Sequence, residues 1–413
     1  MECDVLVAGG GSAGLAAAVA AARLGARTLL VERHGALGGM VSAALVHSIC
    51  GLYRLPEGDA APVLANGGFA AEFARRLLAS GGATGPVRLG RVEVLLQRPA
   101  VFAHLADVIV RETPLLTVRL HTEMIGAGET VALSCRGQRE EIRPRIFVDA
   151  TGDAALATLR GAPCEMEGAA RLQRPAFIFA LGGVASEALA DDARLRLAQR
   201  LAQAVKAGTL PAGALGAHVR GSGQTGEAFV TIDLEGGVDF DPLSAACLSR
   251  LEIEGRDLAQ RIAEFLRNQV EGFAASYIAA WPSRVGVRES RRIVGRYRLE
   301  ADDLLRGAEF PDAVAIAAWP MELRETASGP RLRFPTNGQP CGIPLRALRA
   351  RDDEALFMAG RCISCSHEAQ ASVRVIGTCL ATGEAAGLAA ALTVLHGDCT
   401  SDAVNAARER ITR

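Results

Sequence analysis

The most constraining feature of the chain lies at residues 4–24. Asp4-Val5-Leu6-Val7-Ala8 runs straight into Gly9-Gly10-Gly11-Ser12-Ala13-Gly14 and then into an alanine-rich stretch ending at Leu24. A strand, a glycine turn and a small-residue helix in that order imply a dinucleotide site. Gly9 permits the tight turn, Gly11 lets the main chain approach a pyrophosphate, and Gly14 lets the helix close on the sheet, with Ser12 and Ala13 at the helix start facing the phosphates. Thr28-Leu29-Leu30-Val31 reads as the next strand and ends in Glu32, placed to take a ribose hydroxyl. A glycine-rich turn alone is a weak signal; the whole order from strand to Glu32 gives it force.

The residues after Glu32 separate nicotinamide from flavin sites. Arg33-His34-Gly35-Ala36-Leu37-Gly38-Gly39-Met40 is a second glycine cluster that brings the chain close to a further stretch of ligand, which favours FAD. Arg145–Asp153 is a buried-type strand ending in Ala-Thr-Gly-Asp, and Ala355–Arg361 is another, ending in Ala-Gly-Arg. Together these segments resemble the FAD-dependent oxidoreductases with a Rossmann domain of the glutathione-reductase type. More narrowly they resemble a bacterial FAD-dependent oxidoreductase family with an Arg-Glu-Ser-Arg-Arg segment, here Arg288-Glu289-Ser290-Arg291-Arg292. Gly342-Ile343-Pro344-Leu345, Cys362–Ala369 and Arg374–Cys379 leading to Gly383–Gly387 extend the resemblance end to end. It implies FAD and an oxidoreductase, with the substrate open; noncovalent binding of the FAD is the default expectation.

The expected fold is α/β: a discontinuous Rossmann-type FAD domain (1–160 and 336–413) with an inserted α+β substrate domain (161–335). Within it, helices are expected near Phe69–Leu78, Pro99–Glu112, 186–207 and 242–273. Strands are expected at Leu116–Thr122, Glu123–Gly128, Thr130–Arg136, Gln138–Arg143, Ala176–Leu181 and Ala228–Asp233. Gly51–Gly90 reads as an excursion from the sheet. Only one dinucleotide fingerprint is present, so the simplest expectation is that an organic substrate exchanges a hydride directly with the flavin.

A net charge of −1 predicts no long-range attraction to nucleic acid or anionic membrane. Lys206 is the only lysine, and its polar helical setting argues against lysine chemistry at the flavin. The ten cysteines lack disulfide-framework or zinc spacings, so reduced cytoplasmic thiols are expected and no metal site. The apolar run at 13–22 is short for a membrane span, which needs about 20 residues. The N-terminus enters the first strand at once, and no leader is expected.

Several residues are candidates for chemistry. The resemblance places the N-terminus of the helix after Arg374 against the flavin pyrimidine ring, with Ile376, Gly377 and Thr378 beside it, where the helix dipole stabilises negative charge. It also implies that Asp153, Gly360 and Arg361 close the phosphate and ribitol side. Arg284, Arg288 and Arg292 are spaced four apart, so a helix there would present one cationic face suited to a carboxylate; internal pairing that braces the domains is the alternative. His367 suits proton transfer as a hydride leaves, or else merely holds a phosphate or carbonyl. Cys362 and Cys365 have redox spacing but not the setting of a disulfide reductase, and His47 or Cys50 is the candidate for a covalent tether. The expected partner is a small molecule, with homo-oligomers open. A flavoprotein that modifies, matures or exchanges electrons with a partner protein is the alternative.

Overall fold

The computed structural model describes residues 2–58, 60–326 and 329–412. Strand β1 (Glu2–Ala8) has Val5, Leu6 and Val7 fully buried and turns through Gly9–Gly11 into α1 (Ser12–Arg23). Strand β2 (Thr28–Val31) lies parallel to β1, with Val5 opposite Thr28. After α2 (Met40–Ala44), the strands β3 (Ser48–Ile49), β4 (Ala83–Leu89) and β5 (Val92–Gln97) form a separate sheet alongside α3 (Gly68–Ala79), the excursion expected from the glycines. Helix α4 (Pro99–Arg111) starts on proline, whose missing N–H costs nothing in a first turn, and leads to β6 (Leu116–Arg119) beside β2.

The hairpin β7 (Glu123–Ala127) and β8 (Val131–Cys135) feeds β9 (Gln138–Asp149). The sequence suggests two pieces here, whereas β9 is one strand that changes partners. Its first part pairs antiparallel with β8 and its second part parallel with β1. Pro144 sits just past the changeover, where a missing donor disturbs the ladder least.

Helix α5 (Ala155–Leu159) and β10 (Cys164–Glu165) precede an inserted sheet. Its members are β11 (Ala176–Gly182), β12 (His218–Gly221), β13 (Ala228–Asp233) and β14 (Tyr277–Ala280), in the order β12-β13-β11-β14, with α6 (Asp191–Lys206) and α7 (Ala245–Gln269) packed on it. Helix α6 starts later than its periodicity suggests, because Ala190 is extended and separates it from a short 3-10 turn at Ser186–Leu189. Phe177, Phe179, Leu181, Val219, Val230 and Ile232 point into the insertion's own core. By alternation the other face, carrying Ile178, His218, Arg220, Phe229, Thr231 and Asp233, is turned the opposite way, and Ile178 and Phe229 meet Leu45 and Val46 there.

The chain then rejoins the first core. Strand β15 (Arg292–Ile293) pairs with β10, followed by α8 (Ala301–Leu305), β16 (Ala313–Ala317), β17 (Met321–Leu323), β18 (Arg331–Arg333) and β19 (Cys341–Pro344). Ile293, Leu299, Val314 and Ile343 all belong to the same buried cluster as β1 and α1. Strand β20 (Leu356–Met358) completes the parallel order β6-β2-β1-β9-β20, and α9 (His367–Val373), α10 (Ile376–His396) and α11 (Ser401–Thr412) close the chain. Helix α10 is long and apolar enough to cross a membrane, yet 83% of its apolar window is buried. Side chains at Gly383 and Gly387 would come within 2.1 Å of the Ala13 and Ala17 carbonyl oxygens, so this helix is pressed onto α1 as core.

The segment through Arg284, Arg288 and Arg292 is extended, so the cationic face that a helix there would present does not form. Gly286 pairs with Ala176, and Val285 and Val287 alternate into the insertion's core. A period of two, carried by the valines, wins over the four-residue spacing of the arginines because burying the valines requires it.

Candidate dinucleotide cleft

At the carboxyl ends of the parallel strands lies a cleft of about 340 Å³. Its floor is main chain. Gly9 adopts φ +92°, and a side chain there would lie 2.7 Å from the Ala150 oxygen. At Gly14 a Cβ would stand 1.7 Å from the Gly9 carbonyl oxygen, which fixes glycine at the point where α1 meets the turn. Gly11 is different, since a Cβ there would meet nothing closer than Gly39 Cα at 3.8 Å. Protein contacts therefore leave space above Gly11, the cradle a bound pyrophosphate needs. Helix α1 begins at Gly11 with no side-chain cap and no acidic residue in its first turn, leaving its N-terminal donors suited to an anion. Gly38 N–H donates to the Gly10 carbonyl at 2.8 Å, so the second glycine cluster is tied to the first.

Of the residues expected here, Gly9, Gly11, Ser12, Ala13, Glu32, Arg33, Gly38, Gly39, Met40, Asp153, Gly360, Arg361 and Ile376 line the cleft. Glu32 is held by the main chain: Gly10 N–H donates to it at 2.7 Å and His34 N–H at 2.8 Å. A carboxylate has further lone pairs, so it remains able to accept a hydroxyl. Asp153 accepts from Arg361 at 2.5 Å and from Ser290 Oγ at 2.8 Å. Burial pushes its pKa up, but Arg361 and Ser290 prevail and hold it below the usual carboxylate range. Asp149, at the end of β9, accepts from Thr151 N–H at 2.9 Å and Ala157 N–H at 2.9 Å and so shapes the turn that delivers Asp153.

The same cleft holds residues that sequence reading did not assign to the cofactor. Arg284, Arg291, Arg374 and Cys379 line it, as do Pro242, Leu243 and Leu248 from the insertion. Arg284 approaches His34 Nε2 at 3.2 Å, while its Nε is buried with no hydrogen-bond partner among the described residues. Burial, with Arg33 and Arg361 close by, lowers its pKa to about 10. Clustered guanidiniums around an uncapped helix start form a place already biased toward an anion. The only sequence signal for Arg284 was its four-residue spacing from Arg288, which fits a helical face that this extended segment does not form.

Other expected site residues lie outside the cleft lining. Gly377 N–H donates to the Cys50 carbonyl at 2.9 Å, so that donor is engaged by protein. A Cβ on Gly377 would stand 2.5 Å from Leu52 N. Thr378 is buried, its Oγ1 without a partner among the described residues. Arg288 pairs with Asp233 at 2.7 Å, and Arg292 with Glu289 at 2.6 Å and Glu167 at 3.2 Å, the bracing arrangement. His367 is 1% exposed, with Nδ1 2.9 Å from Glu289 and Nε2 3.1 Å from Glu325. Burial opposes charge on its ring, but the Glu289 hydrogen bond and charge raise its pKa overall. His47 is buried and stacked on Phe229 at 4.6 Å, and burial drives the Cys50 thiol up to about 12. Cys362 and Cys365 are buried free thiols, both with pKa raised by burial. Among the described residues no cluster of His, Cys, Asp and Glu could hold a metal ion.

The model of a family described as FAD dependent oxidoreductase matches residues 4–410. No curated protein matches the chain. Among solved structures, a geranylgeranyl bacteriochlorophyll reductase-like protein from Thermoplasma acidophilum is 13% identical, with 99% of this chain and 83% of that one covered at a TM-score of 0.46. PqsL of P. aeruginosa, in complex with 2-aminobenzoylacetate, is 14% identical over 100% and 92% of the chains, TM-score 0.47. The p-nitrophenol 4-monooxygenase of Pseudomonas putida is 10% identical over 100% and 85%, TM-score 0.46. Similarity at this level carries no chemistry across.

Proposed function

The chain belongs to the FAD dependent oxidoreductase family, and we propose that it exchanges a hydride between a small organic substrate and noncovalently bound FAD. The single observation behind this reading is the glycine cradle above Gly11, which opens on an uncapped helix start ringed by Arg33, Arg284, Arg291 and Arg361. When bound, FAD supplies the two-electron acceptor or donor. The chain's own residues bind and orient: Gly9, Gly11, Ser12, Ala13 and Gly14 surround the pyrophosphate, and Glu32 and Arg33 take the adenosine ribose. Gly38, Gly39 and Met40 run along the linker, Asp153, Gly360 and Arg361 along the ribitol side, and Ile376, Gly377 and Thr378 beside the flavin ring, in a glutathione-reductase-type arrangement.

His367, Arg288 and Arg292 fit a positioning role better than a catalytic one, because each is committed to carboxylates. The domain division follows the two cores, with the insertion starting near Gly161 and ending nearer Val287 than residue 335. Cytoplasmic location and self-association belong to the same proposal. A partner-protein role draws support from the insertion's exposed apolar side chains, Val238 (88%), Leu195 (71%), Ile253 (65%) and Tyr277 (61%).

Anaerobic titration with hydroxy acids, amines and NAD(P)H tests the reading. Bleaching of the flavin by one organic class is the expected result. Reduction by a protein donor alone would favour the partner-directed role instead.

A further inference from the structure

The outward face of the inserted sheet and the start of α10 share a group of buried charges that the dinucleotide does not account for. Four guanidiniums, Arg220, Arg288, Arg324 and Arg374, are grouped with two carboxylates, Asp233 and Glu322. The carboxylates are already shared out. Asp233 takes Arg288 at 2.7 Å and Arg324 at 2.7 Å, and Glu322 takes Arg324 at 2.7 Å and the Trp319 Nε1–H at 3.0 Å. Arg220 and Arg374 are left over. Among the described residues, Arg374 donates only to neutral oxygens, those of the Gln173 side chain at 3.2 Å and the Glu322 main chain at 3.4 Å. The Nε atoms of both arginines are buried with no hydrogen-bond partner among the described residues.

An unpaired buried guanidinium is costly unless an anion arrives to meet it. The surplus registers on neighbouring groups as well. His47 is depressed to about 3 and His218 to about 4, chiefly by burial and then by nearby arginines, Arg220 beside His47 and Arg324 beside His218. Both arginines act electrostatically on one side chain, Cys50, whose carbonyl holds the first turn of α10. Arg374 also opens on the cleft beside Ile376 and Cys379, the end proposed for the flavin ring.

We propose that Arg220, from the inserted sheet, and Arg374, from the start of α10, form an anion subsite that grips a carboxylate on the substrate. This rests on the hydride-exchange reading and supplies its substrate class. Guanidinium suits the task because its planar donors match a carboxylate and stay charged when buried. The two arginines come from different segments, so the grip also fixes the substrate between the insertion and the cofactor domain.

The test titrates the FAD-loaded protein with acetate, succinate and benzoate, and with benzamide as the uncharged control. The flavin spectrum and tryptophan fluorescence are followed together, since Trp319 packs with Val375 beside Arg374. Saturable changes are expected with a carboxylate and none with benzamide. Arg220→Gln and Arg374→Gln should each raise the carboxylate dissociation constant by about thirtyfold, with Arg220→Lys recovering part of it. Equal responses to benzoate and benzamide, no response to any carboxylate, or both glutamine variants titrating like the parent would overturn the proposal. The two readings fail separately. Carboxylate quenching that depends on Arg220 in a protein whose flavin no organic compound bleaches sinks hydride exchange alone. Bleaching by a neutral substrate, with carboxylates inert, sinks the anion subsite alone.

Discussion

The glycine-floored cleft and the charge cluster on the second face of the inserted sheet are built by opposite means. The cleft is a main-chain construction, in which Gly9, Gly14 and Gly39 are held to glycine by atoms 1.7 to 2.8 Å from where a Cβ would be. The charge cluster is a side-chain construction, in which Asp233 joins Arg288 and Arg324 from distant segments and Arg324 goes on to Glu322. Steric exclusion ties a residue type to a position, whereas an ion pair ties two residues whose spacing along the chain is arbitrary. The first should therefore tolerate substitution least, and the second should respond in graded steps.

The strongest break is expected at Gly14→Val. Its side chain meets the Gly9 carbonyl and cannot move aside, so we expect a loss above about 3 kcal/mol and no retained FAD, measured by urea unfolding and absorbance. Arg292→Ala comes next. Removing the guanidinium from a pair whose members are 2% and 0% exposed leaves Glu289 to His367 and the Gln173 N–H, and a loss of about 3 kcal/mol in the same assay is expected, with FAD still bound at saturating cofactor. Arg284→Gln should weaken FAD by about 1.5–3 kcal/mol in calorimetric titration, with little change in fold, because it takes a charged donor from the cleft and no structural pair.

The smallest effect is a pH dependence. The His367 pKa lies above its ordinary 6.5, so its contribution to stability is complete below that value and is lost as pH rises through the folded pKa. Stability should therefore fall on going above about pH 6.5, with a slope from this group of at most about 1.4 kcal/mol per pH unit. His367→Gln should flatten that slope in urea titrations run across pH.

The same contrast explains what the sequence discloses. Gly9, Gly11, Gly14, Glu32 and the Gly38-Gly39 pair were legible, because the requirement for glycine and the strand-to-acid distance are both local. The inserted sheet was legible in part, since Ala176–Gly182 and Ala228–Asp233 are apolar runs of strand length. Arg284 to Arg292 misled, because the four-residue arginine spacing mimics a helix while Val285 and Val287 carry the true period. The isolation of Arg220 and Arg374 was invisible, since it depends on which carboxylates other arginines have already taken. The pairing of His367 with Glu289 and Glu325 was equally hidden, its members lying 78 and 42 residues apart.

Everything proposed for this chain depends on the cleft holding one FAD without a covalent bond, and acid precipitation of the purified protein probes that dependence directly. One FAD per chain in the supernatant and none in the pellet is the expected result. Flavin kept in the pellet, or a colourless protein that takes up no FAD on incubation, would contradict it.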